Sequence, residues 1–219
     1  MKQFSVRLVK LIAGLALYSL GIVMTIQAHI GYEPWDVFHV GLARTTGLSI
    51  GTVLVIVGLV IVILIALLGE RLGLGTLLNM VLIGVFIDLI MALGVIHQAR
   101  SLLIGIPMLL TGLLIIAVAS YLYISSAFGA GPRDSLMVVL SRKTKLPIGV
   151  CRGAVELSVT LVGWLLGGMV GIGTVISVLM IGVFIQLVFR LFKFNVTTVR
   201  HETLKETLIS LRGQKRYTE

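Results

Sequence analysis

The chain has 219 residues, of which 58% are hydrophobic and only 12% are charged. A soluble domain carries about 25% charged residues, so this composition excludes a soluble globular protein and predicts an integral membrane protein. The net charge of +9 does not indicate nucleic acid, because basic residues of membrane proteins set topology or meet anionic lipid headgroups. The single cysteine, Cys151, excludes an intrachain disulfide.

Six stretches are apolar enough to cross a bilayer, which takes roughly 20 residues. They cover residues 9–28, 51–69, 76–93, 102–125, 149–167 and 174–192. With the N-terminus inside, 16 of the 18 basic residues face the cytoplasm, and only Arg44 and Arg100 lie outside. The positive-inside rule then predicts a multi-pass protein of the cytoplasmic membrane, with both termini cytoplasmic.

The second half of the chain repeats the first half at an offset of 98 residues. Residues 31–89 align with residues 129–187 without a gap, and 24 of the 59 pairs are identical. Each copy holds three spans, so the second copy enters the membrane upside down. The pattern predicts an all-α fold of six transmembrane helices arranged as a 3+3 inverted-topology repeat.

These helices form one membrane domain, residues 1–194, because no polar linker separates the halves. Repeat 1 covers about residues 5–95 and repeat 2 about residues 100–193. The remaining residues, 195–219, form a basic tail with apolar residues at helical spacing. We expect a cytoplasmic helix that lies against anionic lipid headgroups, with a helix that binds a partner protein as the alternative.

Each repeat also contains a segment too short to span the membrane. Both segments begin with a proline and place an aspartate two positions later, at Pro34 with Asp36 and at Pro132 with Asp134. Proline favours the first helical turn, where a carboxylate meets unpaired backbone N–H groups. The pattern predicts one short interfacial or re-entrant helix per repeat. Arg44 and Arg142 lie late in these helices, where they suit either a C-terminal cap or an anion contact.

Four ionisable residues cluster at the start of the first short segment: His29, Glu33, Asp36 and His39. Asp36 and His39 are three residues apart and could share a helical face, where they could hold a proton or a metal ion. The second copy lacks the cluster, except for its aspartate. We therefore expect a solvated loop here, and no metal or other cofactor.

Ionisable groups within the spans are costly, and each is a functional candidate. Arg152 and Glu156 are four residues apart on the fifth span and can pair. Asp88 lies on the third span, and Gln186 occupies the equivalent position of the sixth. These four residues could line a cavity that offers proton carriers and hydrogen-bond partners to a small solute. Alternatively, the Arg152–Glu156 pair locks helix packing and Asp88 is capped by a neighbouring group.

Several motifs of the second copy resemble a known family. They are GAGPRDSL at 129–136, RKTKLPIG at 142–149, Arg152 with Glu156, and LLGGMVGIGT at 165–174. Together they are similar to the YczE-like bacterial integral membrane proteins, grouped with the YitT and YyaS types. The resemblance implies a multi-pass bacterial membrane protein and implies little about its substrate. The first copy departs from the pattern, with GYEPWD at 31–36.

The chain shows no nucleophile–base pair, metal cluster or nucleotide motif, so we do not expect an enzyme. The leading hypothesis is a small, proton-linked secondary transporter for a small polar or anionic solute. Glu156 would carry the proton, Arg152 would tune it or contact an anion, and Asp88 would be a second carrier. The alternative is a non-transporting membrane subunit, a scaffold, regulator or binding component that acts with a partner protein. A homo-oligomer is compatible with either hypothesis.

Overall fold

The computed structural model describes residues 2–70 and 72–211, and within these ranges the chain forms helices and turns without strands. The α-helices are α1 (Lys2–Gln27), α2 (Pro34–Thr46), α3 (Ile50–Leu67), α4 (Leu74–Leu93), α5 (Leu102–Ser125), α6 (Pro132–Thr144), α7 (Ile148–Leu165), α8 (Ile172–Leu191) and α9 (Leu204–Leu211). A short 3-10 helix, Val196–Thr198, precedes α9. Residues 212–219 of the predicted tail lie outside the described residues.

Six of these helices are long and apolar enough to cross a membrane: α1, α3, α4, α5, α7 and α8. Their bounds agree with the predicted spans to within a few residues, except that α1 begins seven residues earlier than expected. The expected all-helical membrane protein with six spans is confirmed. The two segments that begin with proline are helices as well, α2 and α6, each with its proline in the first turn.

The centre of the bundle is the crossing of α1 with α5. A Cβ atom added at Gly21 would lie 2.8 Å from the carbonyl oxygen of Gly112, and one added at Gly112 would lie 2.9 Å from that of Gly21. The two backbones therefore touch, as small residues allow in membrane helices. Towards the ends of the crossing, Gly14 packs on the Ala119 carbonyl and Gly105 packs on the Ala28 carbonyl.

The bundle has two ends, which we name after the arginine that stabilises each. At the Arg44 end, Arg44 Nη1 donates to the carbonyl oxygen of Gly167 at 2.7 Å. At the Arg142 end, Arg142 Nη1 donates to Glu70 Oε2 at 3.0 Å. Both arginines lie in the last turns of the short helices, and both join the short helix of one half to the helical corner of the other half.

The start of the tail packs on the Arg142 end of the bundle. The buried Glu202 accepts a hydrogen bond from Arg7 Nη1 at 2.8 Å, and its backbone N–H donates to the carbonyl of Ala127 at 2.8 Å. The backbone N–H of Leu204 donates to the carbonyl of Leu72 at 2.9 Å. This part of the tail is thus bound to protein, whereas Leu208 in α9 remains exposed.

Candidate functional site

A cavity of about 500 Å³ lies inside the bundle, with walls from all eight helices between α1 and α8. Its charged and polar lining comes mainly from α2, α6 and α7 and from the turn before α2: Glu33, His39, Arg133, Asp134, Arg152 and Glu156. Three aromatic side chains, those of Tyr18, Trp35 and Tyr123, also line the cavity. The remaining lining is mostly aliphatic, so the cavity has the character of a binding site for a small molecule.

Glu33 stands immediately before α2, and its side chain is partly exposed to the cavity. Its Oε1 atom is buried and has no hydrogen-bond partner in the described part of the chain. Burial, with a smaller contribution from the nearby carboxyl group of Asp36, raises the pKa of Glu33 to about 8. A carboxyl group with such a pKa takes up and releases a proton near neutral pH.

Arg133 reaches across the cavity from α6 to α2. Its guanidinium carbon lies 4.9 Å from the centroid of the Trp35 ring, a cation–π contact. Its Nη2 atom lies 3.5 Å from Nδ1 of His39. Trp35 and Arg133 occupy equivalent positions of the two sequence repeats, so the contact joins the two short helices directly.

The expectation of a solvated loop around Asp36 and His39 is wrong. Both side chains are about 1% exposed, and Asp36 Oδ1 lies 3.4 Å from His39 Nδ1. The segment that begins at Pro34 is a helix packed into the bundle rather than a loop. On the face with Asp36 and His39, Arg133 Nη2 lies 3.5 Å from His39 Nδ1, and the Trp35 ring stacks on the His39 ring.

Asp134 occupies the first turn of α6 and is exposed to the cavity. The surrounding protein atoms limit the solvation of its carboxyl group and raise its pKa, whereas the positive charges of Arg152 and Arg133 act to lower it. Its Oδ2 atom lies 3.4 Å from the point where a Cβ of Gly131 would stand. The hydroxyl of Tyr123 lies 3.9 Å from that same point. Asp134 and Tyr123 therefore share one corner of the cavity.

Arg152 and Glu156 line the cavity from α7, as a pair with Nε and Oε1 only 2.7 Å apart. Asp88 and Gln186 do not line it. Asp88 instead accepts a hydrogen bond from the backbone N–H of Gly51 at 2.8 Å and one from the Ser49 hydroxyl at 2.6 Å. It thereby fixes α4 to the first turn of α3, as the alternative hypothesis of a capped Asp88 anticipated.

The remaining predicted site residues divide between the cavity and the ends of the bundle. Pro34 and Pro132 line the cavity at the starts of α2 and α6. Arg44 and Arg142 lie at the two ends, each bonded to another residue. Sequence reasoning did not select Arg133 or Tyr123, and it assigned Glu33 to a solvated loop. The available signal was the difference between the copies at Glu33 and Arg133, where the equivalent residues are Gly131 and Trp35.

The α3–α4 and α7–α8 pairs differ sharply in how closely they pack. At the Arg44 end, a Cβ atom on Gly51 would meet the carbonyl oxygen of Gly84, and one on Gly84 would lie 2.5 Å from that of Gly51. At the equivalent positions of α7 and α8, Gly149 and Gly182 have no atom of another described element within 4 Å of an added Cβ. The cavity wall includes Gly182 and the neighbouring Ile185, so the cavity extends between these two separated helices.

We expect Glu33→Gln to flatten the pH dependence of thermal stability. The pKa of Glu33 is about 8 in the folded chain, against an ordinary value of 4.5. Its contribution to stability is therefore complete below pH 4.5 and is lost as the pH rises towards 8, because the unfolded chain ionises first. The variant should melt several degrees above the wild type at pH 8, since each kcal/mol corresponds to about 2–4 °C. Parallel curves of Tm against pH for the two proteins in detergent would contradict the assignment.

Residues 5–190 match the model of a family of unknown function, DUF6198. The chain belongs to this family. The uncharacterized membrane protein YczE of Bacillus subtilis is 36% identical over 177 residues, which cover 80% of this chain and 81% of YczE. An uncharacterized protein of Haemophilus influenzae is 34% identical over 176 residues, 80% of each chain.

A second Bacillus subtilis protein of the same kind, the uncharacterized protein YyaS, is 29% identical over 178 residues, 79% of this chain and 87% of YyaS. These matches confirm the resemblance to YczE-like and YyaS-type proteins that the sequence motifs indicated. No solved structure matches the chain. The family relationship therefore supports a bacterial multi-pass membrane protein. The names of these relatives give no activity.

Proposed function

We propose that the chain is a small secondary transporter that works by alternating access, with proton coupling. The main observation behind the proposal is a difference between the two sequence repeats: the helix pair α3–α4 is in close contact, and the equivalent pair α7–α8 is separated beside the cavity. Glycines hold α3 and α4 in contact at the Arg44 end, whereas the equivalent glycines of α7 and α8 stand apart. A transporter that alternates needs two such gates, one closed while the other is open.

The proposal includes the inverted repeat, and paired contacts support it. The backbone N–H of Gly75 donates to the carbonyl of Phe128, and the N–H of Gly173 donates to that of Ile30, both at 2.8 Å. The two bonds are equivalent under the offset of 98 residues, because Gly75 corresponds to Gly173 and Ile30 corresponds to Phe128. The contacts of Gly14 with Ala119 and of Gly105 with Ala28 are equivalent in the same way under an offset of 91. A two-fold axis in the membrane plane, through the Gly21–Gly112 crossing, relates such pairs.

The orientation follows from the distribution of basic residues. The positive-inside rule assigns the Arg142 end to the cytoplasm, because that end carries Arg7, Arg142 and the described basic residues of the tail, Arg200 and Lys205. The separated ends of α7 and α8 then face the cytoplasm, and the conformation is open inwards. The short helices α2 and α6 enter the bundle from opposite sides as re-entrant elements, since their first turns line the central cavity.

Closure of the cytoplasmic gate would bring Gly149 against Gly182, as Gly51 already lies against Gly84. In that arrangement Gln186 takes the position of Asp88, and its amide oxygen can accept the backbone N–H of Gly149. A neutral amide binds this N–H more weakly than a carboxylate does. The cytoplasmic gate is therefore the easier of the two to open.

Glu33 is the proton carrier in this proposal, because it lines the cavity and has a pKa raised to about 8. Its buried Oε1 atom also has no hydrogen-bond partner among the residues that the structure describes. The Arg152–Glu156 pair lines the same space from the mobile side of the cytoplasmic gate. Movement of α7 would change the distance from this pair to Glu33 and Asp134. Such a change couples the protonation of the cavity to its opening.

The test is solute-dependent proton movement in proteoliposomes that contain the purified protein and a trapped pH-sensitive dye. Small polar metabolites, cationic, neutral and anionic, are added outside one at a time. We expect at least one solute to change the internal pH, and Glu33→Gln to reduce that rate at least tenfold. Glu70→Gln is the matched control, because Glu70 pairs with Arg142 at the end of the bundle, away from the cavity.

The alternative, a subunit that acts only with a partner protein, predicts a different result. No solute would move protons in proteoliposomes, and a second protein would co-purify in stoichiometric amount from native membranes. An enzyme would require turnover of a solute rather than its translocation. Either outcome would overturn the transport proposal.

A further inference from the structure

From the charge arrangement of the cavity we infer the class of solute: an organic cation, with a protonated amine on an apolar or aromatic body. The inference deepens the proposed transport function and rests on it for the statement that the cavity carries a solute. It differs from the sequence-based hypothesis, a small polar or anionic solute, because it assigns a cationic solute. Three features of the cavity wall support it: arginines that already contact other side chains, hydrogen-bond acceptors without partners among the described residues, and aromatic side chains.

The arginines of the cavity are already engaged. Arg152 Nε donates to Glu156 at 2.7 Å, and this pair neutralises both charges. Arg133 stacks on the Trp35 ring at 4.9 Å and approaches His39 at 3.5 Å. An anionic solute would have to compete with the Trp35 and His39 contacts for the N–H edge of Arg133, which pairs with no carboxylate in the described part of the chain. The lining therefore offers an anion one arginine, and that arginine is held between α6 and α2 by these two contacts.

The acceptors, in contrast, are available. No hydrogen bond or ion pair joins Asp134 to another residue in the described part of the chain. Oε1 of Glu33 is buried and unpartnered among the described residues, and so is the hydroxyl of Tyr123, a residue that is only 3% exposed. A buried polar atom without a hydrogen-bond partner costs free energy, which a ligand that bonds to it recovers.

An ammonium group matches these atoms because it carries three donors and no acceptor. The carboxylate of Asp134 and the phenol oxygen of Tyr123 lie at one corner of the cavity, because each is within 4 Å of the position that a Cβ atom added to Gly131 would take. They can accept two of the three N–H bonds. Tyr18 and Tyr123 also line the cavity and supply aromatic surface for the organic body of the solute, whereas the Trp35 ring is already in contact with Arg133. The volume of about 500 Å³ suits a molecule of drug-like size.

Cation binding also explains how a proton would be exchanged. An ammonium group near Glu33 favours the carboxylate form, so the acid releases its proton as the cation enters. The charged or titratable groups that face Glu33 from the surrounding elements are Asp36, Arg133, Glu156, Arg152 and Tyr18. One positive charge enters and one proton leaves. The exchange of a monovalent cation for a proton is then electrically neutral at the site.

The first experiment measures the Tm of the detergent-purified full chain with phenethylamine, phenylacetate or 2-phenylethanol, which share a ring and a two-carbon chain. Each is added at pH 7.5 against an equal concentration of sodium chloride. We expect phenethylamine, which is protonated at this pH, to raise Tm in a saturable manner, because it binds the folded chain. Phenylacetate and 2-phenylethanol should leave Tm unchanged.

Asp134→Asn should weaken the apparent affinity for phenethylamine at least tenfold, and Glu70→Gln should leave it as in the wild type. Tyr123→Phe removes only the hydroxyl and keeps the ring, so it tests the site even if Asp134→Asn fails to fold. Stabilisation by phenylacetate, no stabilisation by phenethylamine, or an unchanged affinity in both variants would each overturn the inference.

Failure of the inference and failure of the transport proposal are distinguishable. Binding of phenethylamine without any solute-dependent proton movement in proteoliposomes would leave the cation site standing and remove transport. Proton movement that is driven by anionic or neutral solutes alone would leave transport standing and remove the cation class.

Discussion

Gly51→Ala is expected to lower Tm by about 5–10 °C, whereas Gly149→Ala at the equivalent position leaves it unchanged or raises it slightly. The added Cβ at Gly51 would meet the carbonyl oxygen of Gly84 and would lie 2.6 Å from Cγ of Asp88. Overpacking of this kind costs about 1–3 kcal/mol, and each kcal/mol corresponds to about 2–4 °C in a chain of this size. The Asp88 hydrogen bonds to the first turn of α3 would be lost as well.

Gly149 is the matched control because no atom of another described element lies within 4 Å of its added Cβ. Alanine there gains about 1 kcal/mol of helix propensity over glycine. The measurement is thermal unfolding of both variants in the same detergent, followed by circular dichroism. Equal loss of stability in the two variants would mean that α7 and α8 pack as closely as α3 and α4 in the protein.

The second large effect concerns function rather than stability. Gly182→Leu should leave Tm within about 2 °C of the wild type and should reduce solute-dependent proton movement at least tenfold. The leucine side chain finds open space between α7 and α8. In the proposed alternating-access cycle it would fill the space that the backbone of α7 must enter when these helices close, as α3 does beside Gly84.

Val183→Leu is the control for this variant, because Val183 is the next residue along α8 and is 53% exposed. A disulfide experiment adds a direct readout. In a Cys151→Ser background, Gly149→Cys with Gly182→Cys should form an intramolecular bond that arrests transport. Full transport by Gly182→Leu would contradict the proposed closure of α7 on α8. Disulfide-linked dimers in place of the intramolecular bond would show that this face of α7 packs on a second copy.

Much of the fold follows from the sequence because local physical chemistry decides it. Length and apolar composition define the six spans, since a helix in lipid must satisfy its own backbone hydrogen bonds. The short helices α2 and α6 follow from Pro34 and Pro132, which suit a first helical turn, and from the lack of enough apolar residues to span. The motifs of the second copy also indicated the family relationship.

The membership of the cavity was decided only by the tertiary structure. Arg152 and Glu156 were correctly paired, because a separation of four residues places two side chains on one helical face. Asp88 was expected beside them, but the close contact of Gly51 with Gly84 brings it to the N-terminus of α3. No local sequence pattern predicts such a contact, because the contact depends on which faces of two helices pack against each other.

Glu33 and Asp134 show the same division from the opposite direction. The sequence placed Glu33 in a loop and Asp134 in a first helical turn, and both positions are correct. Their exposure to one enclosed space arises because α2 and α6 pack into the bundle between distant helices. Helix formation needs only neighbours in sequence. A cavity is the space that packing leaves between helices, so the residues that face it are set by contacts across the whole chain.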